Sequence, residues 1–382
     1  MLTIIIFVVL LGLLVFVHEL GHFLTAKRNG IRVEEFGFGF PPRLGGFVKD
    51  ETTGKYKMVW GNKEMPSHQT VYSLNWIPLG GFVKIAGEDG HDTSDPESFA
   101  GKPAWMRIKV LAAGVFMNFL FAWFLLSLVL MIGLPQPIEP SEHGKYPGEK
   151  IQILQVVSGT PAESMGLKAG DEILSINGQE ITVMDQVSQE IAGHKGETIT
   201  VSVDRFGEKL SLSGAPRTTY PATEGALGIS FSETAVVSYP WYEAIYRGAL
   251  TTYNITVAIF DAFGKMLLSL FGAEKTALDV TGPVGIVYLT KQMSDLGLPY
   301  LLQFAALLSI NLGIINILPI PALDGGRILF ILIEKLKGSP VSHKVENAIH
   351  QVGFILLLLL MLLVTLRDVS QFQLLEKLSR FF

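Results

Sequence analysis

Four stretches of this chain are long and apolar enough to cross a lipid bilayer, and that limits its architecture before any other feature does. They cover residues 1–28, 108–134, 299–326 and 351–367. A bilayer core takes about 20 apolar residues as a helix. Backbone in lipid must also satisfy its hydrogen bonds within its own segment. The expected fold class is therefore an α-helical membrane protein with about four transmembrane helices. The last stretch is short and needs its flanks to span. Composition agrees, since 49% of the 382 residues are hydrophobic and only 17% are charged, a low charge fraction for a soluble protein. The first stretch has no Lys or Arg before it and no small-residue cleavage pattern after it. It reads as a retained span rather than a signal peptide.

Basic residues orient the spans. Arg32, Arg43, Lys49, Lys84 and Arg107 lie between the first two, and Arg327, Lys335, Lys337 and Lys344 between the last two. The positive-inside tendency puts both loops, 29–107 and 327–350, in the cytoplasm. The middle of the chain is then outside. Arg367, Lys377 and Arg380 in the tail, 368–382, pull the other way. The net charge of −5 offers no basic surface to a phosphate backbone, so nucleic acid is not an expected partner. There is no cysteine, so a metal site here must use His, Asp or Glu.

The first span carries His18-Glu19-Leu20-Gly21-His22, which fits H-E-x-x-H. Residues i and i+4 of a helix sit one turn apart on one face, so both imidazoles can bind one metal ion with Glu19 beside them. A solvated polar face is the bland alternative in a soluble helix. Ionisable groups in a lipid span are costly and mark function by default. Zinc needs a third protein ligand. The best remaining residue is Asp324, in Asn316-Ile317-Leu318-Pro319-Ile320-Pro321-Ala322-Leu323-Asp324-Gly325-Gly326 at the end of the third span. Prolines break that helix and leave irregular backbone at membrane depth. From the residues alone, Asp324 is equally a ligand or a simple turn cap.

Between the second and third spans the pattern changes. Residues 151–157 and 199–205 alternate as strands. Together with the Gly166-Leu167 and Gly170-Asp171 turn and Asn177-Gly178, residues 145–217 resemble a PDZ domain, a mainly β fold that binds extended peptides at a sheet edge. A β-rich spacer without a ligand is the alternative. Residues 218–298 read as an amphipathic helical region, because Glu243, Arg247, Asp261 and Lys265 interrupt its apolar run.

H-E-x-x-H in the first span, paired with N-x-x-P-x-P-x-L-D-G in the third, resembles the signature of site-2 proteases, the intramembrane zinc metalloproteases. The order of elements is similar to the bacterial RseP-like branch. Further matches are Gly37-Phe38-Gly39-Phe40, the stretch from Pro78 through Gly80 and Gly81 to Lys84, Thr281-Gly282-Pro283-Val284-Gly285-Ile286 and Asn311-Leu312-Gly313. Two departures stand out. One PDZ domain is found where that branch usually has two, and Gly114-Val115-Phe116-Met117-Asn118 lacks the family's proline. The resemblance implies Zn2+ as cofactor, held by His18, His22 and Asp324, with Glu19 as general base. It implies substrate contact by Asn316 and by Gly37, Gly39, Gly80 and Gly81 of a membrane-associated β-rich loop. It also implies single-span membrane substrates, such as anti-sigma factors or signal-peptide remnants, and a place in a bacterial inner membrane with the PDZ domain extracytoplasmic. A membrane scaffold with a dead metal site, an ion or solute pathway, and an anchored peptidase of soluble substrates are the competing functions. The retained Glu19, the single broken helix and the zinc motif's place inside a span count against each in turn.

Overall fold

The computed structural model describes residues 2–50, 53–62, 69–90, 93–138, 144–146, 148–205, 207–221, 224–270, 282–339 and 341–371. Thr281 of the quoted motifs, and Lys377 and Arg380 of the tail, lie outside the described residues. The chain divides into two units, Met1–Ser127 with Ile245–Phe382, and Leu128–Ala244.

The first unit opens with α1 (Leu2–Arg28). Its uninterrupted aliphatic run makes the helix. Lys27 and Arg28 in the last turn complement the C-terminal dipole, and Gly30 at φ 63 takes the chain out of it. Three sheet strands follow, β1 (Val33–Lys49), β2 (Tyr56–Trp60) and β3 (Val71–Ile85), and then α2 (Ala104–Ile132). After the second unit come α5 (Trp241–Leu270), α6 (Pro283–Leu296), α7 (Leu298–Ile317), α8 (Asp324–Lys337) and α9 (His343–Gln371). Among the described residues, four helical stretches are long and apolar enough to cross a membrane: α1, α2, α7 and Lys344–Ser370 within α9. Leu10 and Leu14 of α1, Leu125 and Leu126 of α2, and Phe304 and Ile310 of α7 pack into one core. Small residues let the helices approach. A Cβ on Gly21 would stand 2.8 Å from Met117 of α2. Much of α9 instead points outward, with Leu360, Leu363 and Leu366 more than half exposed. Leaving one such leucine in water forgoes about 2 kcal/mol of burial, and a lipid face removes that penalty. Asp368, buried near the end of α9, accepts from Gly282 N (3.2 Å) and Gly285 N (2.8 Å) at the start of α6. That contact caps the free amides and the positive end of α6.

The sheet is more folded than its three strands suggest. Phe36 and Gly37 of β1 pair with Tyr72 and Ser73 on one side and with Val83 and Phe82 on the other. Gly46 and Phe47 of the same strand pair with Ser73 and Tyr72, and also with Val59 and Met58 of β2. Both long strands therefore fold back on themselves, and the limb 81–85 of β3 ends the sheet. It has β1 on one side and no strand on the other among the described residues.

The second unit holds β4 (Leu134–Pro137), β5 (Lys150–Val156), α3 (Pro161–Met165), β6 (Glu172–Ile176), β7 (Gln179–Glu180), α4 (Met184–Gly193), β8 (Ile199–Arg205), β9 (Glu208–Gly214) and β10 (Ile229–Val237). Strand order is β4-β10-β5-β6-β8-β9, with β7 on β6. Ile153, Ile173, Ile176, Val187, Ile199 and Val201 fill its core. Arg205 donates to both oxygens of Asp171, at 2.7 Å each, and to Gly166 O at 2.8 Å. This locks the Gly166 to Asp171 turn, and the hydrogen bonds to Asp171 raise the Arg205 pKa above its ordinary value.

Four boundaries differ from the sequence reading. The last span, read as 351–367, belongs to a helix that runs His343–Gln371, so its flanks supply the missing length. The sheet of the second unit reaches beyond 145–217, because β4 and β10 complete it. Residues 218–298 are accordingly not all helical, since Phe231 pairs with Ile153 and Ala235 and Val237 are buried. Asp324 does not close the third span. It starts α8, a separate helix that runs on into what reads as the loop 327–350, with Ile331 buried against Phe23, Val110 and Leu111.

Candidate metal centre

His18 and His22 lie one turn apart on α1, and both are buried. His22 Nδ1 donates to Val110 O of α2 at 2.9 Å. The proton is thereby held on Nδ1 and the Nε2 lone pair is left free. Such an outer hydrogen bond is the usual way a metal-binding imidazole is oriented. The α7–α8 junction supplies the carboxylate. Leu318, the residue before Pro319, is extended at φ −62 and ψ 144, as a pre-proline position demands. The chain then turns through Pro321 and Ala322 into the first residue of α8. Asp324 Oδ2 lies 3.0 Å from His18 Nε2 and 3.3 Å from His22 Nε2. The two Nε2 atoms are 3.1 Å apart.

These residues fit a zinc ion. Their ligand atoms lie within 4.8 Å of one another. The separations of 3.0–3.3 Å are close to the roughly 3.3 Å edge of a tetrahedron with metal bonds of about 2.0–2.1 Å. Two nitrogens and one carboxylate oxygen are a common catalytic zinc set that leaves one position open. Asn118 of α2 adds a second sign. Its amide faces His18 Nδ1 at 3.1 Å, and its Oδ1 is a buried oxygen without a partner among the described residues. Turning the amide over places Oδ1 on His18 Nδ1–H, satisfies the orphan oxygen and frees His18 Nε2 for a metal. Gly114, one turn before Asn118, leaves room for both rings. A Cβ there would lie 2.8 Å from His18 Cε1 and 2.6 Å from His22 Cε1.

Replacing Asn118 with leucine removes the acceptor while keeping the volume. Zinc affinity should fall by about 10–100-fold, the usual worth of an outer partner. Asn118→Asp keeps an acceptor and should lose far less. Competition with a chromogenic zinc chelator measures both, and wild-type affinity in Asn118→Leu would remove this role.

A cavity of 260 Å³ adjoins the triad, lined among others by Glu19, Phe40, Gly81, Phe82, Val83, Glu88 and Arg327. Glu19 is half-buried. Asn316 Nδ2 comes within 3.4 Å of His18 Nε2. Arg327 pairs with Glu88. Burial works against its charge, but the Glu88 and Asp324 carboxylates outweigh burial and hold its pKa above the ordinary guanidinium value. Of the four glycines, Gly81 lines the cavity. Gly80, at φ 102, passes so near α1 that a Cβ would stand 2.7 Å from Val15 Cγ1, so it lets the limb 81–85 lie against the helix that carries the motif. Gly39 forms the bend of β1 at φ 85, and Gly37 lines a separate apolar groove with Phe36, Phe38 and Trp60. Sequence reasoning does not place Asn118, Gly114, Glu88 or Arg327 at the site. The signals for the first two are a polar residue with a glycine four positions before it inside an apolar span, and the resemblance of the stretch from Gly114 to Asn118 to the family's second-span motif.

The model of peptidase family M50 matches residues 6–61 and 55–360. The regulator of sigma-W protease RasP of Bacillus subtilis is 30% identical, with 97% of this chain and 98% of the relative covered. The zinc metalloprotease RasP of Geobacillus kaustophilus is 31% identical, over 97% and 98%. That of Shouchella clausii is 29% identical, over 97% and 99%.

Proposed function

The chain belongs to peptidase family M50 and is a zinc metalloprotease, and we propose that it cuts peptide bonds within the transmembrane segments of other proteins, with His18, His22 and Asp324 holding zinc and Glu19 as general base. One observation carries this reading. Ligand atoms from α1 and from the start of α8 converge beside a cavity that the Glu19 carboxylate lines, in a unit whose long helices are apolar enough to cross a membrane.

Zinc, when bound, supplies a Lewis acid that polarises a scissile carbonyl and acidifies water. The protein's own residues do the rest. Val110 O and Asn118 hold the two imidazoles in the tautomer that presents Nε2. Glu19 takes the proton from the attacking water and returns it to the leaving amine. Asn316 donates to the carbonyl oxygen of the substrate, where negative charge develops. A helical substrate must first unwind, which frees backbone groups at membrane depth. The limb 81–85, with an open edge and three side chains on the cavity, accepts the unwound stretch as an added strand.

The second unit acts as an extracytoplasmic PDZ domain. Along residues 229–232 the side of β10 away from β5 carries no strand among the described residues, and α4 approaches β10. This is the kind of strand-and-helix groove that takes an extended peptide. The domain screens or docks substrates there. Substrates are single-span membrane proteins of a bacterial inner membrane, with anti-sigma factors and signal-peptide remnants as the expected classes. Purified protein in liposomes with a single-span substrate tests the reading. Mass spectrometry of the fragments should place the cut inside the apolar stretch. Cuts confined to the flanking polar residues would refute intramembrane cleavage.

A further inference from the structure

The turn before Asp324 is held by α9, at the end of that helix opposite to Asp368. Ala322 sits at φ 75, in the left-handed region that a residue with a Cβ rarely adopts. Its N–H donates to His350 Nδ1 of α9 at 2.7 Å. Gly353, three residues further along α9 and on the same face, meets the same turn. A Cβ there would stand 2.9 Å from Pro321 O. From the other side, a Cβ on Gly326 of α8 would come within 3.1 Å of Pro321 Cα. The turn is thus pinned between α8 and α9.

The imidazole is itself oriented. Because Nδ1 accepts from Ala322, the proton belongs on Nε2. Glu346 Oε1 lies 4.0 Å from Nε2, one turn earlier in α9. The Phe330 ring of α8 packs on the imidazole at 5.4 Å between centroids. Only the bond from Ala322 N to Nδ1 is of hydrogen-bond length, since 4.0 Å to Glu346 is beyond that reach; it ties His350 to the backbone two residues before Asp324. Ala322 also lines the cavity of the metal centre.

We propose that α9 is a clamp on the metal centre, and that His350 is a positioning residue which holds Ala322 left-handed and thereby sets the Asp324 carboxylate against His18 and His22. This rests on Asp324 being a ligand. The outward leucines of α9 face lipid, while one polar face, His350 with Gly353, reaches the Pro321–Ala322 turn. Displacing a ligand by about 1 Å is enough to disable a site of this kind, and losing one backbone acceptor permits such a shift.

The test uses full-length protein in detergent and reads metal, not cleavage alone. His350→Ala should weaken zinc binding by about 10–100-fold in chelator competition and alter the visible spectrum of the cobalt-substituted protein. His350→Asn places an amide oxygen near the lost Nδ1 and should restore most of the affinity. Ala322→Gly adopts positive φ without strain, so His350→Ala should cost clearly less in that background, a coupling read from the double-mutant cycle. If His350→Ala lowers only thermal stability and keeps wild-type zinc affinity and cobalt spectrum, the clamp is overturned. Additive losses in the cycle would overturn it as well. Asp324→Ala serves as the control. If that variant keeps full zinc affinity, the ligand assignment falls and the clamp with it. If it loses zinc while His350→Ala does not, the clamp alone fails.

Discussion

Glu19→Gln should keep its zinc and lose about 10²–10⁴-fold in kcat, the typical worth of a positioned general base. The two side chains have nearly the same shape, but an amide cannot take a proton from water at neutral pH. None of the contacts that join His18, His22, Asp324, Asn118 and Val110 runs through Glu19, so the metal centre has no reason to come apart. The substitution acts on a step that follows binding, so KM should change far less than kcat. Elemental analysis of the purified variant, set beside single-turnover cleavage of a single-span substrate, separates the two quantities. Undiminished cleavage by Glu19→Gln would end the assignment of Glu19.

The parts of this site differ in how openly the sequence displays them, and geometry explains why. His18, Glu19 and His22 share one helix, so a spacing of four already states which side chains face together. Asp324 lies some three hundred positions away. Only the resemblance to a two-part signature pairs it with the histidines, since no periodicity spans two helices. Asn118 and Gly114 are visible as a polar residue and a gap in an apolar span, yet their partner depends on how α1 packs on α2. His350 is harder still. It precedes the leucine-rich part of α9, and its acceptor role exists only because Ala322 has turned left-handed. The spans were readable from length and hydrophobicity alone. The sheet was not, because β1 and β3 fold back at bends such as Gly39 and Gly80, and two limbs of one strand leave no separate signal. Strand β10 lies in a stretch that reads as helical from its charged interruptions further on, although Ile229, Phe231, Ala235 and Val237 follow a period of two. Helix α8 reads as a loop in the sequence because charges flank its short apolar stretch.

Asp324→Ala should remove zinc from the purified protein and abolish cleavage. The expected drop in affinity exceeds the roughly 10–100-fold that an outer partner is worth, because a direct ligand and the only negative charge of the set are lost together. Two neutral imidazole nitrogens 3.1 Å apart then face each other with no carboxylate to balance a dication. Lengthening the side chain should not rescue it. Gly325 follows directly, and a Cβ there would stand 2.5 Å from the Ile317 carbonyl carbon, so the backbone has no room to retreat by the extra methylene of Asp324→Glu. A carboxylate pushed that far overshoots the tetrahedral position, and zinc binding should recover only in part. Glu19→Gln and Asp324→Ala therefore fail in different ways, one with the metal and one without it. Titration of both apoproteins with zinc against a chromogenic chelator resolves them. A stoichiometric, wild-type zinc isotherm for Asp324→Ala would mean that the carboxylate beside His18 and His22 is a bystander.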